Sequence, residues 1–170
     1  MFSTIEHFSV QAEQRLATFN EFIVGNSLEG KITPDHFGYR CSTNEEFTIM
    51  RAFFEFEASF LYQSIIAGRR IALIKLKTPI PTLAGPLAYL ELSDQKPDGS
   101  QKSGFDHIEF VPKNNTSEAL VQFFNNKNIV FTKTERPHHT TYDHKLPDGL
   151  ALRVETIPLI TKIINEEIVQ

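Results

Sequence analysis

One pattern occurs twice in this sequence, and it restricts the fold more than any other feature. The segment PDHFGYRC begins at residue 34, and the similar segment FDHIEFV begins at residue 105. Each is typical of a β-strand and is followed by a helical pattern and then by three further strand patterns. The helices are predicted over 43–58 and 115–128, and the later strands over 60–66, 71–77, 87–93, 129–135, 140–146 and 150–156. Such a repeat predicts two copies of one βαβββ module that share a hydrophobic core.

Additional segments precede, join and follow the two modules. Apolar residues near the N-terminus recur at spacings of three and four, which predicts one amphipathic helix that packs on the body. A polar, glycine-containing stretch is suited to connect the modules. The expected divisions are 1–30 for the N-terminal segment with its helix over 3–25, 31–94 for the first module, 95–104 for the connector, 105–157 for the second module and 158–170 for a C-terminal helix.

Charge and hydropathy exclude some classes of partner. The net charge is -4, and no run of lysine or arginine supplies a basic surface for nucleic acid. No stretch approaches the roughly 18 uninterrupted apolar residues that a membrane span needs, and the N-terminus lacks the pattern of a signal peptide. We therefore expect no nucleic acid or membrane partner and a cytoplasmic location. The single cysteine, Cys41, agrees with a reducing compartment and is expected to pack in the interior.

Each module has a histidine early in its first strand and a glutamate late in its last strand. Glu91 follows His36 by 55 residues, and Glu155 follows His107 by 48 residues. Two imidazoles and two carboxylates at equivalent places in a duplicated module are typical ligands of a divalent metal ion. The sequence thus predicts one site for Fe, Mn, Ni, Co or Zn, with His36, Glu91, His107 and Glu155 as ligands.

The alternation of side chains along each strand gives an independent argument, because neighbouring residues face opposite sides of a sheet. In all four strands the candidate ligand lies on the more polar face, and the reverse face is apolar. We expect a concave surface lined by His36, Arg40, Tyr89, Glu91, His107, Glu109, Arg153 and Glu155. By the same rule, Asp35 and Asp106 are predicted to point away from the histidines that follow them. The alternative is a sheet whose polar face is simply solvated.

The residues of this pattern resemble a known family. The segments DHFGYRC, GRRIALIKL, YLELS and GFDHIEFVP are similar to those of the YecM family of bacterial proteins. The tandem modules resemble the vicinal oxygen chelate superfamily, which includes glyoxalase I, methylmalonyl-CoA epimerase, extradiol dioxygenases and bleomycin-resistance proteins. The resemblance covers nearly the whole chain and implies an α+β fold in which paired modules form a curved mixed sheet around a metal ion. If Glu155 is not a ligand, the site becomes a two-histidine, one-carboxylate arrangement.

The leading functional hypothesis is a metal-dependent enzyme that holds two adjacent oxygens of a small substrate. Glu109, or a glutamate ligand such as Glu155 released from the ion, is the expected proton carrier. Arg40, Tyr89 and Arg153 are expected to bind an anionic substrate. Isomerase, epimerase, lyase and oxygenase chemistry are all compatible with this hypothesis. The alternatives are a non-catalytic protein that binds a small molecule on the same sheet, and a protein-interaction scaffold with an exposed apolar patch.

Two predictions remain apart from the site. Because both modules lie in one chain, we expect a monomer or a weak homodimer. His138, His139 and His144 lie close together in sequence, and they are expected to belong to a mobile loop or strand edge, with a lid over the cavity or further metal ligands as the functional alternatives.

Overall fold

The fold was established from a computed structural model that describes residues 2–135 and 140–169. Within these two ranges, five helices and eight strands follow one another in the order that the sequence predicts, except that the N-terminal segment contains two helices. The elements are α1 (Ile5–Arg15), α2 (Ala17–Asn26), β1 (Ile32–Arg40), α3 (Asn44–Glu57), β2 (Ala58–Ile66), β3 (Arg69–Ile80), β4 (Leu87–Ser93), β5 (Gly104–Pro112), α4 (Ser117–Asn125), β6 (Thr132–Glu135), β7 (Thr140–Lys145), β8 (Ala151–Val154) and α5 (Leu159–Val169).

All eight strands belong to one curved, open sheet with the order β2-β3-β4-β1-β5-β8-β7-β6. Within each module the first strand pairs in parallel with the last one, β1 with β4 and β5 with β8. The two modules meet where β1 and β5 pair in antiparallel orientation. The predicted α+β fold of tandem βαβββ modules is therefore confirmed, and the first strand of each module lies at the centre of the sheet.

One face of the curved sheet carries the hydrophobic core, and the opposite face is the one that the sequence predicts to be concave. The residues predicted on the apolar side of the four central strands are buried there, namely Phe37, Tyr39, Cys41, Leu90, Leu92, Ile108, Phe110, Leu152 and Val154. Burial of this surface is the main source of stability, at roughly 25 cal/mol for each Å² of apolar area removed from water. Because the helices cover this face, the polar side chains of the same strands are left on the concave face.

Local sequence signals explain where the helices begin. The hydroxyl of Thr43 accepts a hydrogen bond from the backbone N–H of Glu46 and caps α3. In the N-terminal segment, the single predicted helix is divided at Leu16, where ψ is -2° instead of a helical value near -42°. Both halves pack on the body: the ring of Phe8 lies 5.0 Å from that of Phe54 in α3, and the ring of Phe19 lies 5.9 Å from that of Phe110 in β5.

Two β-bulges interrupt the pairing of β1 with β5, and both occur at an Asp-His pair. Between Pro34 and Phe37 the strand β1 has one residue more than its partner, and between Gly38 and Tyr39 the extra residue lies in β5, at Asp106. A bulge bends the strand and breaks the strict alternation of side chains. The rule that neighbours face opposite sides therefore fails at these two places.

The structure also bears on membrane association. Among the helices in the described parts of the chain, none has the length and apolar character that crossing a bilayer requires.

Candidate metal centre

Four side chains of the two modules converge on the concave face, and we call them the His/Glu cluster. His36 of β1, Glu91 of β4, and His107 and Glu109 of β5 form this cluster. The Nε2 atom of His36 lies 3.8 Å from Oε2 of Glu91 and 3.7 Å from Oε1 of Glu109. The Nε2 atom of His107 lies 4.0 Å from Oε1 of Glu91 and 3.7 Å from the same Oε1 of Glu109. The predicted convergence of both modules on one centre is thus present.

These separations are too long for hydrogen bonds and fit a shared ion. A hydrogen bond between nitrogen and oxygen needs about 2.7–3.2 Å. Two ligand atoms that each lie about 2.1 Å from one metal ion are at most about 4.2 Å apart. Among the described residues, Nε2 of His36 and Nε2 of His107 are buried without a hydrogen-bond partner, which is costly unless something else satisfies them. His36, Glu91 and His107 therefore form a donor set that fits a first-row divalent ion, and the carboxylate of Glu109 lies 3.7 Å from both imidazoles.

The other nitrogen of each imidazole is fixed by the aspartate that precedes it in sequence. Nδ1 of His36 lies 3.0 Å from Oδ2 of Asp35, and Nδ1 of His107 lies 3.0 Å from Oδ2 of Asp106. A carboxylate on Nδ1 holds the proton there and leaves Nε2 free to bind a metal. The prediction that Asp35 and Asp106 point away from their neighbours was wrong, because each pair lies at a β-bulge. The repeated Asp-His pair was the signal for this role.

The buried charges shift the titration of the cluster. Burial alone would lower the pKa of His36, but the carboxylates of Glu109, Asp35 and Glu91 raise it to about 9. Burial and the guanidinium of Arg153 lower the pKa of His107. Burial would raise the pKa of Glu109, yet the two histidines and Arg153 lower it to about 2. Without a metal ion, the His36 imidazolium balances part of the negative charge, and a bound cation would replace its proton.

The two predicted substrate-binding arginines are held by carboxylates of the protein. Nη2 of Arg40 lies 2.6 Å from Oδ2 of Asp106. Nη1 of Arg153 lies 3.3 Å from Oε1 of Glu109, and its Nε lies 3.4 Å from Oδ1 of Asp143. Both guanidinium groups thus form ion pairs with carboxylates in or next to the His/Glu cluster. Their binding of substrate stays a prediction.

Glu155, predicted as the fourth ligand, lies beyond the end of β8. Its Oε2 accepts a hydrogen bond from Nζ of Lys162 in α5 at 2.8 Å, and the groups of described residues that could hold an ion do not include it. It is near enough to Glu109 for that carboxylate to raise its pKa, although burial is the larger cause. That Glu155 is a ligand stays a prediction, and the geometry favours Glu109 for the fourth place.

The strand register shows why the two modules differ here. Glu91 lies opposite Gly38, two residues after His36, whereas the residue opposite Glu109, two residues after His107, is Arg153. Arg153 is thus the counterpart of Glu91, and Glu155 lies two residues further on. At about 3.3 Å per residue, this moves Glu155 roughly 7 Å along the chain. The number of residues between the histidine and the glutamate of each module does not reveal this two-residue offset of Glu155.

Gly38 has a steric role that the sequence does not reveal. A Cβ atom at this position would lie 2.1 Å from Cε1 and 2.7 Å from Nε2 of His107. The imidazole of His107 therefore occupies the space above Gly38. The counterpart of Gly38 in the second module is Glu109. The same backbone position therefore leaves room for an imidazole in the first module and provides a carboxylate in the second.

The remaining predicted residues lie around the cluster or away from it. Tyr89 is opposite His36 in the pairing of β1 with β4. His144 is in β7, where its Nδ1 lies 2.9 Å from the carbonyl oxygen of Val130 and its ring is 5.1 Å from that of Phe131. It therefore packs on the helix side of the sheet. His138 and His139 fall outside the described residues.

Comparison with known proteins identifies the family of this chain and supports its fold. The family model described as "YecM protein" matches residues 7–161. A solved structure titled "Structural Genomics, Protein EC4020" is similar to this chain with a TM-score of 0.65 and 22% identity, over 91% of this chain and 90% of that one. No curated protein matches the chain. The matched family model spans both modules and every residue of the His/Glu cluster, and the chain accordingly belongs to the YecM family of the vicinal oxygen chelate superfamily.

Proposed function

We propose that this protein is a metal-dependent enzyme of the vicinal oxygen chelate type, acting on a small, oxygen-rich substrate. The observation that carries the proposal is the set of four separations of 3.7–4.0 Å between imidazole Nε2 atoms and carboxylate oxygens. Each is too long for a hydrogen bond and short enough for one ion between the atoms. His36, Glu91, His107 and Glu109 would hold the ion. Both modules lie in one chain, so the site is complete in a monomer.

A divalent ion in the His/Glu cluster supplies Lewis-acid stabilisation of negative charge on neighbouring substrate oxygens. The role of the protein is to hold the imidazole and carboxylate donors of the ion in place. Asp35 and Asp106 orient the two imidazoles, and Arg153 holds Glu109. This division of labour suits reactions in which a proton is moved next to a carbonyl group, such as isomerase, epimerase or lyase reactions, and it suits an oxygenase if the ion is iron.

Of the two carboxylates in the cluster, Glu91 is the better candidate to move a proton. The side chain of Glu109 is 8% exposed and is paired with Arg153, which favours its ionised form and restricts its motion. The side chain of Glu91 is 21% exposed, and among the described residues only the two histidines form ion pairs with it. Glu91 can therefore leave the ion and rotate toward a substrate without breaking an ion pair to an arginine or lysine of the described residues. The sequence favoured Glu109 and Glu155 for this role.

The proposal is tested by metal content and by metal-dependent stability. We expect about one divalent first-row ion for each chain purified without chelator, and its loss in a His36→Ala, His107→Ala double variant. A metal ion at 100 times its Kd stabilises the folded state by about 2.7 kcal/mol, which raises the Tm by roughly 5–10 °C for a chain of this size.

The matched control is His7→Ala, since His7 is an exposed histidine of α1. It should keep both the metal and the increase in Tm. A folded wild-type protein that neither retains nor is stabilised by Mn, Fe, Co, Ni or Zn would contradict the proposal. A metal-binding protein without turnover on a panel of hydroxy and keto acids would be a binding protein with the same site.

A further inference from the structure

The positive charges nearest the His/Glu cluster are already used by the protein. Arg40 is paired with Asp106, and Arg153 is paired with both Glu109 and Asp143. A substrate anion could engage either guanidinium only in competition with these carboxylates. Another cation on the concave face is therefore better suited to bind an anionic group of the substrate.

Lys75 of β3 is such a cation. The strand register places His36, Tyr89, Lys75 and Phe60 in one row across four neighbouring strands, and residues directly opposite one another share a face of the sheet. Lys75 is exposed, and no carboxylate of the described residues lies within 4.0 Å of its ammonium group. Its Nζ lies 5.9 Å from the centre of the Tyr89 ring. Tyr89 thus lies between Lys75 and the cluster.

Two aromatic residues lie opposite Lys75 on the neighbouring strands, Tyr89 on β4 and Phe60 on β2. The next row of the sheet contains Glu91, Leu73 and Tyr62. Leu73 is 2% exposed, and Phe60 in the row of Lys75 is 39% exposed. An ammonium group beside aromatic and aliphatic surface binds an anion more strongly than one surrounded by water, because competing solvent is reduced.

The second module has an equivalent lysine in different surroundings. Lys145 of β7 lies opposite Ala151, which lies opposite His107. Ala151 therefore stands where the first module has Tyr89, and Asp143, paired with Arg153, stands where it has Leu73. At these two described positions the second module thus has alanine in place of the aromatic residue and a carboxylate two residues from the lysine. The two halves thus offer different environments to a ligand.

We propose that the β2–β3–β4 half of the concave face binds a small organic anion with an apolar or aromatic body, and that Lys75 is the counter-ion of its anionic group. This inference rests on the proposed function, since it names the substrate class of that site. Strands are about 4.8 Å apart, so the backbone of Lys75 lies roughly 10 Å from that of His36. The anionic group of the substrate is therefore separated from its cluster-facing oxygens by a body about as large as one ring, which packs on Tyr89.

The test uses two probes of nearly the same shape, of which only the first is charged, 3-(4-fluorophenyl)propanoate and 3-(4-fluorophenyl)propanamide. Binding of each is measured by ¹⁹F NMR titration to wild type, Lys75→Met and Lys145→Met, in Zn²⁺-loaded and in chelator-treated protein. Methionine keeps much of the apolar stem and removes the charge. Lys145→Met is the matched control, because it removes the equivalent charge from the other module.

We expect wild type to bind the acid about tenfold more tightly than the amide, as one charge-assisted hydrogen bond provides. Lys75→Met should abolish this preference and leave the affinity for the amide unchanged, while Lys145→Met should retain it. Equal binding of acid and amide by wild type, a preference that survives in Lys75→Met, or binding of neither probe at millimolar concentration would overturn the inference.

Comparison of the Zn²⁺-loaded with the chelator-treated protein distinguishes failure of this inference from failure of the proposed function. A preference that depends on Lys75 in a protein that takes up no metal would support the anion site and contradict the metal-dependent enzyme. Stoichiometric metal without any preference for the acid would leave the proposed function intact and overturn the role of Lys75.

Discussion

Glu91 and Arg153 occupy the same place in the two modules, although their charges are opposite. Glu91 lies opposite the residue two positions after His36, and Arg153 lies opposite the residue two positions after His107. The first module therefore supplies its carboxylate from β4, and the second supplies it from β5, as Glu109. Arg153 then pairs with Glu109 instead of adding a third carboxylate to the cluster. The two modules share their backbone arrangement and differ in the charges around the His/Glu cluster.

Gly38 should be required for the position of His107. In Gly38→Ala the new Cβ would lie 2.1 Å from Cε1 of His107, so the imidazole must move away from the cluster. We expect a loss of about 1–3 kcal/mol in the free energy of unfolding, as in other overpacked sites, and at least a tenfold weaker metal affinity. Urea unfolding and calorimetric metal titration measure the two effects.

The control for Gly38 is Gly25→Ala in α2, where a Cβ meets no atom within 4 Å. Alanine is the better helix former by up to about 1 kcal/mol, so this variant should be slightly more stable than wild type and bind metal normally. Normal metal binding by Gly38→Ala would show that His107 does not need the space above Gly38.

Asp106 should act on metal affinity through His107. Its carboxylate fixes Nδ1 of His107, and loss of such a contact typically weakens metal binding by 10–100-fold. The affinity of Asp106→Asn for Zn²⁺ should therefore be 10–100-fold weaker than that of wild type. The affinity of Asp98→Asn, in the exposed part of the connector, should be unchanged. A competition titration with a chromophoric chelator measures both. Equal affinities for the three proteins would refute an orienting role for Asp106.

The sequence was sufficient for the fold, and it named three of the four side chains that meet in the His/Glu cluster, namely His36, Glu91 and His107. Strand, helix and turn patterns recur in each module, so the element order and the apolar faces of β1, β4, β5 and β8 follow from local periodicity. What failed was the geometry between strands. Alternation gives the wrong direction for Asp35 and Asp106, since bulges depend on how two distant strands pair.

Glu109 and Glu155 illustrate the same limit. Glu109 was predicted to face the site, but its place among the candidate ligands depends on the pairing of β5 with both β1 and β8. Glu155 fits the repeat when positions are counted along the chain, yet it lies two residues beyond Arg153, which is the register counterpart of Glu91. A single sequence does not state which residues of two strands lie opposite each other. The strand pairs in the structure show this register directly.

Arg153 should contribute more to stability than an arginine on the surface. Its side chain is 16% exposed and lies between Glu109 and Asp143, so Arg153→Met would leave two carboxylates without this partner. Removing one member of a buried charge pair costs about 3–5 kcal/mol. Arg51→Met is the control, because Arg51 forms an exposed pair with Glu55 in α3 at 3.1 Å, worth about 0.3–0.5 kcal/mol.

Urea unfolding followed by circular dichroism compares these two arginine variants. A loss in Arg153→Met as small as that in Arg51→Met would mean that water or a rearranged side chain takes over the role of the guanidinium, and that Glu109 is not held as the structure indicates.

Glu46 should make stability depend on pH, outside the metal centre. Burial would raise the pKa of Glu46, but hydrogen bonds from Ser103 and from the backbone and side chain of Ser42 lower it. A carboxyl whose pKa is lower in the folded state stabilises the fold above its unfolded pKa of about 4.3. That contribution is lost as the pH falls through the folded value.

Glu46→Gln should accordingly be less stable than wild type at pH 7, and the difference should shrink steadily as the pH is lowered below about 4. Glu45→Gln is the matched control, since Glu45 is an exposed residue in the same first turn of α3 and has the same interaction with the helix dipole. Thermal unfolding across this pH range separates the two variants. If Glu46→Gln and Glu45→Gln followed the same curve, the hydrogen bonds that join α3 to the start of β5 would contribute nothing beyond the helix dipole.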